Sequence, residues 1–355
     1  MKLIKNVKHK NKLVSIAIED GRIKDIISAE CDCYADAPSV DFGGAKIYPG
    51  LIDIHSHGAI GIDTMDATLN ELAKFYLSQG TTTWYPTTMT MSHEDILRSL
   101  VAECDGEGAN IPGFHLEGPY INPDCCGAQD PRYAILPTIE DFKTYPSVKL
   151  VTIAPELDGA IEFIKKCDAV VCLGHTAASY DEAKLAFDAG AKCLTHTFNA
   201  MNGIHHRAPG PIPAGAECGA YAQLICDGIH IHPSVIRMLV ALYGTDRVIL
   251  ISDSMCATGL SDGVYGLGGQ AVTVKDGKAT LANGAIAGSS VTLFECVRRA
   301  VSFGIDEESA FKMASENPAR MMGLNKGKIE IGYDADFVIV DESLSLLRAI
   351  ARGEI

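Results

Sequence analysis

The sequence lacks any apolar run close to the roughly 20 residues that a membrane-spanning helix requires. Its first residues, MKLIKNVKHKNKLVSI, mix basic and apolar side chains without a continuous apolar segment, so we expect no secretory signal peptide. Positive charge is also scarce, because 30 Lys and Arg residues face 45 Asp and Glu residues and the net charge is −15. With no basic stripe, the sequence predicts neither a nucleic-acid partner nor a membrane partner.

Cysteine is present, but the sequence shows no disulfide framework. The 12 cysteines are scattered, and several lie inside apolar runs such as Val171-Cys172-Leu173. The pairs Cys31/Cys33 and Cys125/Cys126 have no CxxC partner at the spacing of a zinc site. We therefore expect reduced thiols and a cytoplasmic location.

The two ends of the chain carry β patterns. The sequence Asp20-Gly21 separates two of them and is a strong hairpin signal. Neither end has enough apolar residues for a core of its own, so we predict one small β-sandwich domain built from residues 1–49 plus 328–355. The predicted strands near the termini are 13–19, 22–27, 327–331 and 335–340.

Between the termini, short apolar runs alternate with helical patterns. Ser179 and Glu182 form a capping box, and Ser92 with Asp95 opens another helix. Such alternation predicts an α/β fold, a (β/α)8 TIM barrel over residues 50–327, with a Gly/Ala-rich insertion at 264–288 that includes a hairpin signal at Asp276-Gly277. The eight predicted barrel strands are 48–55, 81–86, 111–117, 149–153, 169–175, 192–196, 222–226 and 247–253.

Side chains capable of chemistry stand where these strands end, and in a barrel the carboxyl ends of the strands face one side. His55 and His57 are two residues apart, so on a strand they point the same way. Imidazoles and carboxylates together suit a divalent ion such as Zn, Fe or Mn, and we predict a site for one or two ions. The strand-end residues are His55, His57, Glu117, His175, His196 and Asp253.

Several segments resemble the N-acetylglucosamine-6-phosphate deacetylases of the amidohydrolase superfamily. HLEGPY at 115–120 and THTFNAM at 195–201 are the specific ones, whereas the HxH opening and GYDAD at 332–336 occur across the wider superfamily. The resemblance covers nearly the whole chain and implies hydrolysis of N-acetylglucosamine 6-phosphate to glucosamine 6-phosphate and acetate, in amino-sugar catabolism. The other matching segments are 48–58, 174–176, 252–254 and 317–320.

The resemblance also implies residue roles. Glu117, His175 and His196 match the primary metal ligands, while His55 and His57 match second-metal ligands that only some members have. Asp253 matches the general base and acid. A homodimer is implied as well. Positions matching those that hold the sugar phosphate are Asn199, Ala200, Arg207 and His230, with His230 a candidate to reach in from a partner subunit; Ala287, Gly288 and Ser289 match the lining around the acetyl group.

One position departs from the family pattern. Some members have a histidine in the loop after the third barrel strand, where this chain has Gln129. A glutamine can bond a sugar hydroxyl but carries no charge, so we expect it to bind substrate differently.

Three alternatives stay open. A cyclic-amide hydrolase related to dihydroorotases and hydantoinases would place a modified lysine at the end of the fourth strand, but Lys149 stands at its start. A nucleobase deaminase would need stacking groups in its pocket. The aromatic content of 7% does not exclude it, but Arg207 and the FNAM segment at 198–201 favour a phosphosugar. A non-catalytic phosphosugar sensor would have no use for Asp253.

Overall fold

The structure is a computed structural model that describes residues 1–31 and 33–355. The strands are β1 (Lys2–His9), β2 (Lys12–Glu19), β3 (Arg22–Ser28), β4 (Ser39–Pro49), β5 (Leu51–Ser56), β6 (Gly58–Ala59), β7 (Ile62–Asp63), β8 (Thr81–Pro86), β9 (Phe114–Glu117), β10 (Val148–Ile153), β11 (Val170–Leu173), β12 (Cys193–Leu194), β13 (Tyr221–Ile225), β14 (Val248–Ile251), β15 (Gly263–Leu267), β16 (Gln270–Lys275), β17 (Lys278–Thr280), β18 (Phe337–Val340) and β19 (Leu346–Ile350). The α-helices are α1 (Leu69–Ser78), α2 (His93–Leu100), α3 (Ile139–Phe142), α4 (Ala160–Lys166), α5 (Tyr180–Ala189), α6 (Pro211–Glu217), α7 (Pro233–Tyr243), α8 (Leu293–Ser302), α9 (Glu307–Ala314) and α10 (Glu316–Met322).

Strands from both termini join into one sheet with the order β19-β18-β4-β1-β2-β3. The predicted hairpin is confirmed, because β2 and β3 pair antiparallel on either side of Asp20-Gly21. Strand β4 is the seam, since it pairs parallel with β1 and antiparallel with β18. The sheet buries an apolar cluster of its own that includes Ile4, Ile16 and Phe337.

Near the C-terminus, the strand prediction is wrong for 327–331. That segment buries Ile329 against the sheet but makes no ladder, and Gly332 N donates instead to the Ile23 carbonyl (2.8 Å). The prediction also missed β19, which pairs with β18.

Each of the eight predicted barrel strands is confirmed in position, as β5 and β8 to β14. Strands β9 to β14 pair in chain order as parallel neighbours, and β5 pairs parallel with β8. Backbone hydrogen bonds close the ring at both gaps; for example, Asp253 N donates to the His55 carbonyl (2.9 Å), and Thr88 N donates to the His115 carbonyl (3.0 Å). The predicted fold, a TIM-type barrel with a small β domain from both termini, is confirmed, while the domain boundaries at 49/50 and 327/328 stay predictions.

Helix starts follow the predicted caps. The Ser179 side chain accepts from Glu182 N at the start of α5, and the Glu182 carboxylate accepts from Ser179 N. Ser92 caps α2 in the same way through Asp95 N. These caps fix the residue at which each helix begins, and therefore the length of the loop between the preceding barrel strand and the helix.

The predicted insertion forms a three-stranded sheet of β15, β16 and β17, with the expected hairpin between β16 and β17. One expectation about cysteine is wrong, because Cys31 and Cys33 form a disulfide. The ten other cysteines, all within the described part of the chain, are free. No helix in the described ranges is long and apolar enough to cross a membrane.

Candidate active site

The predicted strand-end residues converge at the carboxyl end of the barrel. His55 lies in β5 and Glu117 is the last residue of β9, while Asp253 follows the end of β14 by two residues. His175 and His196 likewise follow β11 and β12 by two residues. The barrel thus brings together residues that are up to 198 positions apart in sequence, counting from 55 to 253, and all are buried.

Glu117 is at the centre of the cluster. Its Oε1 lies 3.1 Å from His55 Nε2, 3.2 Å from His175 Nε2 and 3.0 Å from His196 Nε2. Its Oε2 lies 3.1 Å from His57 Nε2. Two triads share this carboxylate: His55 with His57, and His175 with His196.

The other ring nitrogens show which atoms are free to bind a cation. His55 Nδ1 faces Gln223 Oε1 at 3.0 Å, and His175 Nδ1 faces the Cys125 carbonyl at 3.0 Å. Both partners accept hydrogen bonds, so each Nδ1 carries a proton, and in the neutral imidazole that a cation binds the lone pair is on Nε2. Lone pairs converging on a carboxylate need a positive charge between them, and the donor set therefore fits a divalent cation.

Electrostatics around the cluster follow from the same contacts. Burial raises the pKa of Glu117, but the charge of His55 and hydrogen bonds from the other histidines outweigh it, and the pKa lies well below the usual value. Burial disfavours the imidazolium of His57, yet hydrogen bonds to Asp253 and Glu117 raise its pKa to about 10. The site therefore stabilises positive charge beside two ionised carboxylates.

Asp253 is next to the triad of His55, His57 and Glu117 without being part of either triad. Its Oδ1 lies 3.5 Å from His55 Nε2 and 3.4 Å from His57 Nε2. Burial raises the pKa of Asp253, but the neighbouring histidines more than compensate, so the pKa is lowered and the group is a carboxylate at neutral pH. Ser289 N donates to the Asp253 carbonyl (2.7 Å), which fixes the backbone beneath it.

A cavity of about 320 Å³ opens over this cluster. Of the predicted substrate-binding positions, Gln129, Asn199, Ala200, His230 and Gly288 line it. His230 does so from its own chain, and its contact with the site of a partner subunit stays a prediction.

Three predicted substrate positions are not brought to the cavity wall. Ala287 is buried beside it, and the Ser289 hydroxyl donates to the Ser252 carbonyl (2.5 Å). Arg207 is exposed, and its guanidinium faces His206 Nε2 at 2.6 Å.

Sequence reasoning missed residues that act behind or beside the ligand cluster. Gln223 Oε1 holds His55 and also accepts from His196 N (3.3 Å). A lone glutamine in the apolar strand 221–225 was the signal available, since a buried polar side chain needs a partner. His115 packs against His55, with ring centroids 4.5 Å apart. Its Nε2 lies 2.8 Å from Thr152 Oγ1, and burial lowers its pKa well below the usual value.

The model of the amidohydrolase family matches residues 47–353. The chain is 37% identical to the N-acetylglucosamine-6-phosphate deacetylase of Bacillus subtilis (strain 168), over 96% of this chain and 92% of that protein. It is 36% identical to the N-acetylgalactosamine-6-phosphate deacetylase of Escherichia coli O157:H7, over 86% of each.

A solved structure is similar throughout. It is a mutant N-acetyl-D-glucosamine-6-phosphate deacetylase from Mycobacterium smegmatis in complex with N-acetyl-D-glucosamine-6-phosphate, and it superposes with a TM-score of 0.92 at 32% identity, covering 99% of this chain and 98% of that chain.

The barrel and its buried histidine–carboxylate cluster define a hydrolase with side chains that could bind a metal ion, and this chain belongs to the amidohydrolase family. The relatives named above are deacetylases of N-acetylated hexosamine 6-phosphates.

Proposed function

We propose that this chain hydrolyses the acetamide of N-acetylglucosamine 6-phosphate and releases glucosamine 6-phosphate and acetate, as a step of amino-sugar catabolism. The observation that carries the proposal is that Asp253 shares one cavity wall with Glu117 and the histidine cluster. Relatives more than 30% identical over most of the chain carry the same activity in their names. Ten free cysteines support a cytoplasmic location, although Cys31 and Cys33 form a disulfide.

The proposed cofactor is a divalent metal ion, one or two per chain, with Zn, Fe and Mn as the candidates. Glu117, His175 and His196 would hold the first ion, and His55 and His57 with Glu117 a second. A divalent ion bound there polarises an acyl oxygen and lowers the pKa of bound water.

The proposed role of Asp253 is to move one proton. Its carboxylate accepts the proton from the attacking water as the bond between the water oxygen and the acyl carbon forms. It then gives that proton to the amide nitrogen as the carbon–nitrogen bond breaks, because an amine leaves readily only when protonated. Water and amide are consumed, the amine and acetic acid are formed, and Asp253 returns to its starting state. The acetic acid becomes acetate by giving its proton to the free amine or to water.

The proposed phosphate site combines backbone and side-chain donors at 199–200 with His230. Asp227 Oδ2 lies 2.6 Å from His230 Nδ1, and although burial lowers the pKa of His230, this contact raises it overall. Among the cavity residues in the described part of the chain there is no lysine or arginine. A contact from Arg207 to the phosphate therefore requires either a movement of segment 204–207 or a second copy of the chain, as in the homodimer that we propose.

The testing experiment is acetate release from N-acetylglucosamine 6-phosphate, with unphosphorylated N-acetylglucosamine and N-acetylgalactosamine 6-phosphate beside it, before and after chelation. We expect turnover that prefers a phosphorylated sugar, stops on chelation and returns with added Zn²⁺ or Mn²⁺. No turnover of any N-acetyl hexosamine with any divalent ion would overturn the proposal. The galactosamine arm tests the substrate of the Escherichia coli relative.

Arg207→Ala gives a second test of the phosphate site. We expect KM for the phosphorylated sugar to rise, with turnover of the unphosphorylated sugar unchanged, since only the phosphate contact is lost. An equal loss on both sugars would assign Arg207 a structural role.

The cyclic-amide alternative is not favoured. Lys149 is exposed near the start of β10, far along the strand from the carboxyl end that faces the cavity. Glu117 already bridges the two triads.

A further inference from the structure

Glu117 has one close partner that is not a histidine. Gln129 Nε2 donates to Glu117 Oε2 at 2.6 Å, and Gln129 Oε1 accepts from Thr90 N at 2.6 Å. A backbone N–H can only donate, so the amide oxygen must face Thr90 and the amide NH₂ must face the carboxylate. The side chain is 5% exposed, and both ends of the amide are in use.

The two oxygens of Glu117 have different surroundings. Oε1 faces three imidazole nitrogens, whereas Oε2 faces His57 and the amide of Gln129. The terminal torsion of a glutamate is soft, so a carboxylate without a fixed partner rotates through a broad range. The hydrogen bond from Gln129 selects the rotation in which Oε2 faces His57 and Oε1 faces the other three imidazoles.

Backbone hydrogen bonds hold both residues of the Gln129–Glu117 contact in place. Thr90 Oγ1 donates to the Glu117 carbonyl (3.1 Å), and Gln129 N donates to the Cys126 carbonyl (2.8 Å). The same loop presents the Cys125 carbonyl to His175 Nδ1. A displacement of Gln129 is therefore resisted by the strand end and by the loop.

We propose that Gln129 is a positioning residue for the metal site, which holds the Glu117 carboxylate in its bridging orientation. The proposal rests on the metal site of the proposed function and differs from the sequence-based expectation that Gln129 bonds a sugar hydroxyl. Outer partners of metal-binding carboxylates typically account for about 10–100-fold in metal affinity.

The test measures metal binding without substrate. Chelator-treated wild-type protein and Gln129→Met are titrated with Zn²⁺ in competition with a chromophoric chelator, and with Co²⁺ followed by visible absorption. Methionine keeps the length and apolar contacts of the side chain but cannot donate. The matched control is Gln270→Met, because Gln270 Nε2 donates to the Ala128 carbonyl (2.6 Å) and so holds the same loop without touching Glu117.

We expect Gln129→Met to bind Zn²⁺ about 10–100-fold more weakly and to change the Co²⁺ spectrum, while Gln270→Met keeps the wild-type spectrum. Gln129→Ala repeats the test if the methionine variant does not fold. Wild-type affinity and spectrum in both Gln129 variants, or equal losses in Gln270→Met, would overturn the role of Gln129. If the wild-type protein binds neither ion, the metal site of the proposed function falls, and the positioning role falls with it.

Discussion

At the scale of the residue, His175, His196 and Asp253 adopt left-handed backbone, with φ of 48°, 25° and 48°. A non-glycine residue in this region is strained by about 1–3 kcal/mol, and such strain persists only where neighbours fix it. Here backbone N–H groups hold the carbonyls: Asn199 N donates to His196 O (2.9 Å) and Ser289 N donates to Asp253 O (2.7 Å). The left-handed conformation turns each of these side chains away from its strand and toward the cluster around Glu117.

Asp253→Asn tests the proton transfer. We expect kcat to fall by about 10²–10⁴-fold, the usual contribution of general acid–base catalysis. Metal content, measured by atomic spectroscopy, should stay at the wild-type level because Asp253 belongs to neither triad. A variant that keeps most of its kcat would assign the proton to another group.

Asp227→Asn tests the charge on His230. Because Asp227 raises the pKa of His230, the imidazolium persists in the wild-type protein above the usual value of about 6.5. Affinity for inorganic phosphate should therefore fall as pH rises through the raised pKa, and in Asp227→Asn the fall should begin at lower pH. Phosphate titrations across pH, with NMR of the His230 ring, measure both quantities; identical profiles would separate His230 from the anion.

Much of the site could be predicted at this scale, because residues such as Glu117 and His196 stand directly at or after apolar strands. The contacts of Gln223 and Gln129 with the site could not be predicted, because the partner of a buried glutamine lies on another strand or loop that only the folded barrel brings next to it. The position of Arg207 was also beyond reach, because loop conformation follows local contacts such as that with His206.

At the scale of the element, barrel strands were readable because parallel strands buried on both faces appear as continuous apolar runs. Strand β15 was not, as its sequence Gly-Val-Tyr-Gly-Leu carries two glycines. Segment 327–331 has a strand-like sequence but pairs with no strand. Only the residues after it reach the sheet, at the edge strand β3, where Gly332 N donates to the Ile23 carbonyl (2.8 Å) and Ile23 N donates to the Tyr333 carbonyl (2.9 Å). Whether such a segment forms a strand depends on its pairing with a neighbouring strand and not on its local sequence pattern.

Asp63→Ala tests how the insertion is fastened. Asp63 accepts from Met65 N (2.9 Å) at a helix start and from Gly268 N (3.0 Å) in the insertion. Losing these contacts should lower the free energy of unfolding by about 1–2 kcal/mol, and limited proteolysis should cut residues 263–280 faster. Urea unfolding and peptide mapping measure the two effects, and unchanged cleavage would show that Asp63 does not hold the insertion.

At the scale of the whole molecule, a buried ion pair joins the segment after α10, the last helix of the barrel, to the small sheet of terminal strands. Lys326 Nζ lies 2.5 Å from Asp336 Oδ2 and 3.1 Å from Asp334 Oδ2. Asp336 also accepts from Arg352 N (2.7 Å), so one carboxylate ties β18 to the turn that follows β19.

Lys326→Ala leaves that carboxylate buried without its cation. Removing one partner of a buried pair typically costs about 3–5 kcal/mol, and we expect a loss of that order in the free energy of unfolding by urea. Lys328→Ala is the control, because Lys328 is about one-third exposed and its nearest carboxylate oxygen is 3.6 Å away. Equal losses in the two variants would mean that the junction does not depend on the buried pair.

The seam at β4 has a consequence for biosynthesis. One edge of β4 is covered by β1 as soon as both strands exist, but the other edge waits for β18, almost 290 residues later, from 49 to 337. While the ribosome makes the barrel, that edge shows unpaired backbone groups, which are a template for pairing with other chains. The nascent chain is therefore most exposed to aggregation late in translation, and a newly finished molecule gains its protection only when its last strands emerge.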